Sequence, residues 1–292
     1  ILLTTALIAS GLLLAGCTAT AATSASPATA QPTESVTATT AASDSDLAPQ
    51  AVLAANADYT TVNPDEWSES DAVDVRLSGS TATSGASGVA ISGSTVTVTE
   101  AGVYRLSGAL QGQVVVAAPD DALVVLILDG VDISNGAGAA IDVQTADDVA
   151  IHLADGSSNT VSDAASTAAD AEATAAVYAQ TDLTISGTGS LAVTGNGNDG
   201  IASKDDLVIL GGTITVTAVD DALRGKDALV VEGGTLNLTA TGGDGMKSDG
   251  DDDEASADID WTRGYIYVSG GTIDVEAGDD GLQAFTDTVI AG

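Results

Sequence analysis

The sequence predicts an all-β solenoid, a parallel β-helix with coils of about 22 residues, and three observations carry that expectation. Acidic corners recur at Asp199, Asp221 and Asp244, then at Asp280 after an acidic insertion that begins near Asp251. Glycine pairs at 211–212, 233–234 and 270–271 return at the same period, each followed by a strand-like stretch with alternating apolar residues: Ile214 and Val216, Leu236 and Leu238, Ile273 and Val275. Convincing helical periodicity is nearly absent. One such unit has an apolar face with nothing to cover it; stacked, the apolar positions form a single inner column and the alternate Thr, Asn, Asp and Glu meet water. A nine-residue calcium β-roll is excluded, because the glycine pairs recur at the coil period.

Taken in order, the chain opens on an apolar run from Ile1 to Leu14, about the length of a signal-peptide core and too short to span a bilayer. It ends in Leu14-Ala15-Gly16-Cys17, which resembles a bacterial lipobox, so residues 1–17 are expected to be a lipoprotein signal with Cys17 lipidated; the start lacks an initiator Met and a basic stretch. Residues 18–57 are mostly Ala, Thr, Ser and Pro and read as a flexible tether, since few large apolar side chains are there to offset the entropy of ordering. Residues 58–292 are assigned to the β-helix. Strand patterns begin near Asp71, and the run Leu123 to Leu128 has the character of a strand covered on both faces. The Ala-rich stretch from Ala164 to Ala176 is expected to be an inserted loop or a short helix. The final repeat stops at Gly292 with an open edge, where further rungs or a cap are expected.

Seven Lys and Arg stand against 42 Asp and Glu, a formal charge of -35. Such a surface repels nucleic acid and anionic membranes, so contact with a membrane is expected through the lipid alone and cations are the natural partners. Hydrophobic residues make up 44% of the chain, which argues against a disordered acidic polymer.

The acidic corners are where chemistry is expected. Equivalent positions on successive coils lie ~4.8 Å apart, and two bare carboxylates at ~5 Å repel by about 3 kcal/mol at an effective dielectric near 20. A ladder of Asp199, Asp220, Asp221, Asp244, Asp279 and Asp280 therefore calls for a counter-charge, and Ca²⁺ has oxygen ligands at about 2.3–2.6 Å, enough to bridge two rungs. The plain alternative is that Asp-Gly pairs form turns, with Asp bonding its own backbone and Gly at positive φ. Four of the seven basic residues follow these acids: Lys204, Arg224, Lys226 and Lys247. They either neutralise the ladder or, with a bound cation, meet the carboxylates of an acidic polysaccharide. His152, the single histidine, sits in an alternating strand and is expected to be solvent-facing or hydrogen-bonded. Trp261, Tyr265 and Tyr267 make a small aromatic group after the insertion, for which edge packing is expected over sugar stacking.

The stretches Leu128–Asn135, Ile151–Asp163, Leu183–Leu207, Leu223–Asp249 and Gly264–Ala284 together resemble the bacterial carbohydrate-binding domain-containing proteins. The resemblance implies a right-handed parallel β-helix that binds calcium and polysaccharide, lyase-like in shape without an established catalytic role. The chain departs from the pattern where Ala222 replaces Gly and where Gly243 precedes Asp244. Three functions follow as expectations: a non-catalytic lipid-anchored module on the outer face of the cell membrane that binds acidic polysaccharide through calcium, a calcium-dependent polysaccharide lyase with Lys226 near Asp221 as base, and a structural stalk or adhesin.

Overall fold

The computed structural model describes residues 48–166, 171–250 and 259–291. Its coils each give one strand to three parallel columns. One coil runs Asp206–Ile209, Thr213–Ala218, Leu223–Gly225; the next runs Ala228–Val231, Thr235–Ala240, Met246–Ser248; the one after runs Tyr265–Val268, Thr272–Ala277, Leu282–Ala284. Every strand pairs in parallel with its counterpart above: Leu207 with Leu229 and then Ile266, Ile214 with Leu236 and then Ile273, Leu223 with Met246 and then Leu282. The architecture is all-β, consistent with a β-helix or solenoid-like fold. Each coil thus holds three strands, the third only three residues long and too short to show an alternation of its own in the sequence.

Early coils run two columns from a single strand. Leu123–Ser134 pairs through its first half with Asp148–Leu153 and through its second half with Ser158–Ser162. Antiparallel pairs occur at the N-terminal end: Val73–Gly79 with Ala82–Ser84, and Val89–Ser92 with Thr95–Val98. The residues flanking positions 167–170 are not helical among those described, and Ala175–Ala179 is a fully buried strand.

The interior is a continuous apolar column in which Ile214, Val216, Leu236 and Leu238 are buried and Ile273 and Val275 pack against them. The middle column alternates, with Thr213, Thr215 and Thr217 outward. The first column does not alternate, because residues ahead of the coils lie along its outer face. Val62, Trp67 and Ala72 pack on Val103, Val125 and Ile127, and Leu53 and Tyr59 pack on Val208, Val230 and Tyr265. This explains the unbroken apolar run Leu123 to Leu128. Residues 48–57, grouped with the tether on composition, therefore include a short helix at Pro49–Leu53, and the Ala57 N–H donates to the Thr262 carbonyl. The rest of the tether and the lipobox with Cys17 lie outside the described residues.

The second glycine of each pair makes the turn into the middle column: Gly212, Gly234 and Gly271 have φ of 96°, 93° and 93°, and Gly187, in the same turn one coil earlier, is at 97°, a region that side chains resist.

Candidate functional site

The acidic corner lies between the middle and third columns. A carboxylate oxygen from each of Asp199, Asp220 and Asp221 lies within 4.8 Å of the others. Asp199, Asp221 and Asp244 are 0%, 1% and 2% exposed, an unusual burial for acids. Their stacking has a structural cause. The Asp221 N–H donates to Asp199 Oδ1 at 3.2 Å, the Asp244 N–H to Asp221 Oδ1 at 2.8 Å, and the Asp280 N–H to Asp244 Oδ1 at 2.9 Å. Each carboxylate ties its coil to the next one; it does not bond its own backbone as in an Asp-Gly turn. The corner glycines likewise serve space, since Gly200 and Gly245 are not at positive φ. A Cβ on Gly200 would lie 2.2 Å from Val216 Cγ1, and one on Gly243 would lie 2.3 Å from Asp220 Oδ1 and 2.5 Å from Asp221 Oδ1. Gly243 therefore leaves the room that the two carboxylates occupy.

The second oxygens face charge. Lys247 Nζ is 3.3 Å from Asp221 Oδ2 and 3.4 Å from Asp244 Oδ2, and Arg224 Nη1 is 3.7 Å from Asp199 Oδ2. Asp199 Oδ2 is buried without a hydrogen-bond partner. Burial, and then the charge of Asp221, pushes the Asp199 carboxyl up to about 7, with Arg224 acting in the opposite direction. A hard cation at this point would satisfy both the orphaned oxygen and the mutual repulsion. Asp279 and Asp280 are exposed on a later coil, outside the three-acid group.

The four basic residues separate into two places. Arg224 and Lys247 are register partners on the third column, and Arg224 also pairs with Asp249. Lys204 is exposed, and Lys226 lies by Asp205 and Asp227 at the next corner. Arg224, Lys247, Ser248, Asp249, Gln283 and Phe285 border an open groove of about 420 Å³. Trp261 stacks on Phe285 with ring centroids 5.2 Å apart and remains 64% exposed. The aromatic group thus divides: Tyr265 is buried and donates to the Ala57 carbonyl, and Tyr267 packs near Tyr59. His152 Nδ1 is 3.0 Å from Ser186 Oγ, its ring meets Trp67 edge-on, and burial lowers its pKa.

A second acidic group was not singled out from the sequence. Asp182, Asp205 and Asp206 also bring carboxylate oxygens within 4.8 Å of one another, at the corner between the third and first columns. Its signal was present as Lys204-Asp205-Asp206-Leu207 and Lys226-Asp227-Ala228-Leu229, one coil apart.

Comparison with known proteins agrees with the fold. A curated carbohydrate-binding domain-containing protein from Acetivibrio thermocellus is 36% identical over 126 residues, 41% of this chain and 44% of that protein, so the match spans less than half of the relative's length. A polysaccharide lyase-like protein from C. thermocellum, solved as a gadolinium derivative, superposes with a TM-score of 0.67 at 30% identity, covering 75% of this chain and 96% of that one. The family model for carbohydrate-binding domain-containing protein matches residues 92–292, well over half the sequence, and the chain belongs to that family.

Proposed function

We propose that this chain is a right-handed parallel β-helix that binds an acidic, uronate-type polysaccharide with the help of calcium at the Asp199, Asp220 and Asp221 corner, without cleaving it. The observation that carries the reading is the buried Asp199 Oδ2, which lacks a hydrogen bond and has Arg224 at 3.7 Å, in a group of three converging carboxylates. Those three residues would hold the ion, and calcium there supplies positive charge that a sugar carboxylate can share. Arg224 and Lys247 stand beside the corner and Lys204 and Lys226 one corner further on, so a uronate chain laid across the third column passes cations in an otherwise anionic surface. The family name and the polysaccharide lyase-like neighbour support a glycan ligand, and that neighbour's gadolinium derivative fits a fold that accepts hard cations. The lipobox-like Leu14 to Cys17 supports a lipid-anchored place on the outer face of the cell membrane.

One observation favours a second reading, calcium-dependent lyase action. Arg224 stands 3.7 Å from Asp199, which sets a basic group beside the cation corner. Affinity electrophoresis in polygalacturonate, with and without calcium, tests both. Calcium-dependent retardation without ultraviolet-absorbing unsaturated products is expected; unsaturated products would establish the lyase, and equal mobility in both gels would overturn the calcium-dependent binding.

A further inference from the structure

At 64% exposure Trp261 is the most exposed large apolar side chain among the described residues, yet it is firmly seated. Its ring lies nearly parallel to that of Phe285, at 14°. Phe285 in turn rests on glycine: a Cβ at Gly250 would lie 2.9 Å from Phe285 Cδ1 and one at Gly264 would lie 2.7 Å from Phe285 Cβ, and both glycines are at positive φ, 59° and 81°. The turn that carries Trp261 is tied down. Asp260 Oδ1 accepts from the Thr262 N–H at 3.0 Å and from the Thr262 hydroxyl at 2.6 Å, the Thr262 carbonyl accepts from the Ala57 N–H at 2.8 Å, and the Phe285 N–H donates to the Ser248 carbonyl at 2.8 Å. A lone exposed apolar side chain is ordinary on a protein surface; a stacked, backbone-anchored indole beside a groove is a different case. Phe285 leads from that platform into the groove, where Arg224, Lys247 and Gln283 are register partners on three successive coils and follow one another at the strand spacing. The bases there are already matched, Arg224 by Asp249 and Lys247 by Asp221 and Asp244. The groove therefore offers donors and acceptors side by side without an excess of positive charge.

We propose that Trp261 and this groove form a subsite for neutral pyranose units of a glycan, with one ring lying on the open face of Trp261 and the adjoining unit in the groove, its hydroxyls bonded to Lys247, Asp249 and Gln283. A pyranose ring is amphipathic: its C–H bonds make the faces apolar, and its hydroxyls make the rim polar. The face matches a flat aromatic ring, and the rim needs donors and acceptors in alternation, which an ammonium, a carboxylate and an amide supply. A uronate ring fits this place less well, because its carboxylate would meet bases that Asp221, Asp244 and Asp249 already neutralise. The groove, about 420 Å³, falls within the range of about 300–1,000 Å³ usual for small-molecule sites and takes a short stretch of chain whose ends leave by its open sides. Edge packing thus describes Tyr265 and Tyr267 but not Trp261. The carbohydrate-binding family supplies the class of ligand. The subsite needs no calcium, so it goes beyond the uronate reading and stands or falls apart from it.

Titration of the full chain in chelator, with hexasaccharides of glucose, mannose, galactose and xylose as separate probes, tests the subsite by tryptophan fluorescence and by calorimetry. Trp67 is half-buried against Val103 and Val125 and gives a constant background, so a blue shift on binding belongs to Trp261. At least one probe is expected to bind the wild type and shift its emission, Trp261→Phe to retain binding, and Trp261→Ala to weaken it roughly tenfold or more, as loss of an aromatic anchor does. Failure of all four probes to bind the wild type overturns the subsite, and so does unchanged affinity in Trp261→Ala. Gln283→Ala leaves the aromatic platform whole and should also weaken binding; unchanged affinity there overturns the groove's part, whatever the stability of Trp261→Ala. Electrophoresis in polygalacturonate with calcium separates this inference from the uronate reading. Trp261→Ala should be retarded as much as the wild type, and loss of that retardation would make Trp261 part of the uronate site and overturn a separate neutral one. A wild type that binds a hexasaccharide but is not retarded overturns the uronate reading alone.

Discussion

Asp221 occupies two roles that a pair of substitutions separates. Its Oδ1 accepts the buried Asp244 N–H at 2.8 Å, and its Oδ2 faces Lys247 at 3.3 Å in the three-acid group. Asp221→Ala leaves that amide without an acceptor, at a cost of about 1–3 kcal/mol. For a domain of this size each kcal/mol moves the melting midpoint by about 2–4 °C, so a drop of roughly 2–12 °C is expected in the presence of chelator. Asp221→Asn keeps an acceptor oxygen in place and removes a charge that repels Asp199, although it also removes one of the two carboxylates that face Lys247. Its midpoint in chelator should therefore stay within about 1 kcal/mol of wild type. Calcium at 100 times its dissociation constant adds about 2.7 kcal/mol to the wild type through this corner, and the Asn variant should lack that gain. Thermal unfolding followed by circular dichroism, in chelator and in calcium, reads all four combinations. The reasoning fails if Asn falls as far as Ala in chelator, or if Asn gains as much from calcium as wild type does.

Three further outcomes are expected. Asp199, raised from 3.8 to about 7, takes up a proton on folding between those values, so its contribution is fully present below pH 4 and is lost as pH climbs through 7; Asp206 shifts in the same direction. Chelated protein should accordingly melt higher at pH 5 than at pH 8, and calcium should shrink the difference; a midpoint that rises with pH in chelator would falsify the assignment. Lys247→Ala removes the cation shared by Asp221 and Asp244, so stability in chelator should fall by about 1–3 kcal/mol while calcium binds more tightly and polygalacturonate less well, as calorimetry of each ligand would show. Cys17→Ser should abolish incorporation of a fatty-acid analogue and release the protein from membranes, and label persisting in the variant would refute the lipobox.

The repeat was legible because its spacing is dictated by contacts that recur. The 22 and 23 residues separating Asp199, Asp221 and Asp244 are the separations across which their carboxylate-to-amide bonds run. The 36 residues from Asp244 to Asp280 are one coil enlarged by the insertion. The inner column of Ile214, Leu236 and Ile273 could be read from alternation, since one face of that sheet meets water and the other does not. The family likeness was legible for the same reason, as an order of corners and strands.

What the residues determined alone was therefore the coil, its period, its apolar interior and the places where acid gathers, all of which depend on separations along one chain. Tertiary structure decided what each acid does. Burial and the next coil's amide turned Asp221 and Asp244 from turn formers into rungs, and Lys247 came to rest between them. At the second acidic corner the acids carry a coil-period signal but their cover does not, because it is the segment around Thr60, which reaches Asp206 across 146 positions of sequence. Local pattern encodes contacts that repeat at a fixed interval, the bond between Asp182 and Asp206 across 24 residues among them; the segment that covers those acids joins them once, from a distant part of the chain, and only the folded chain brings the two together.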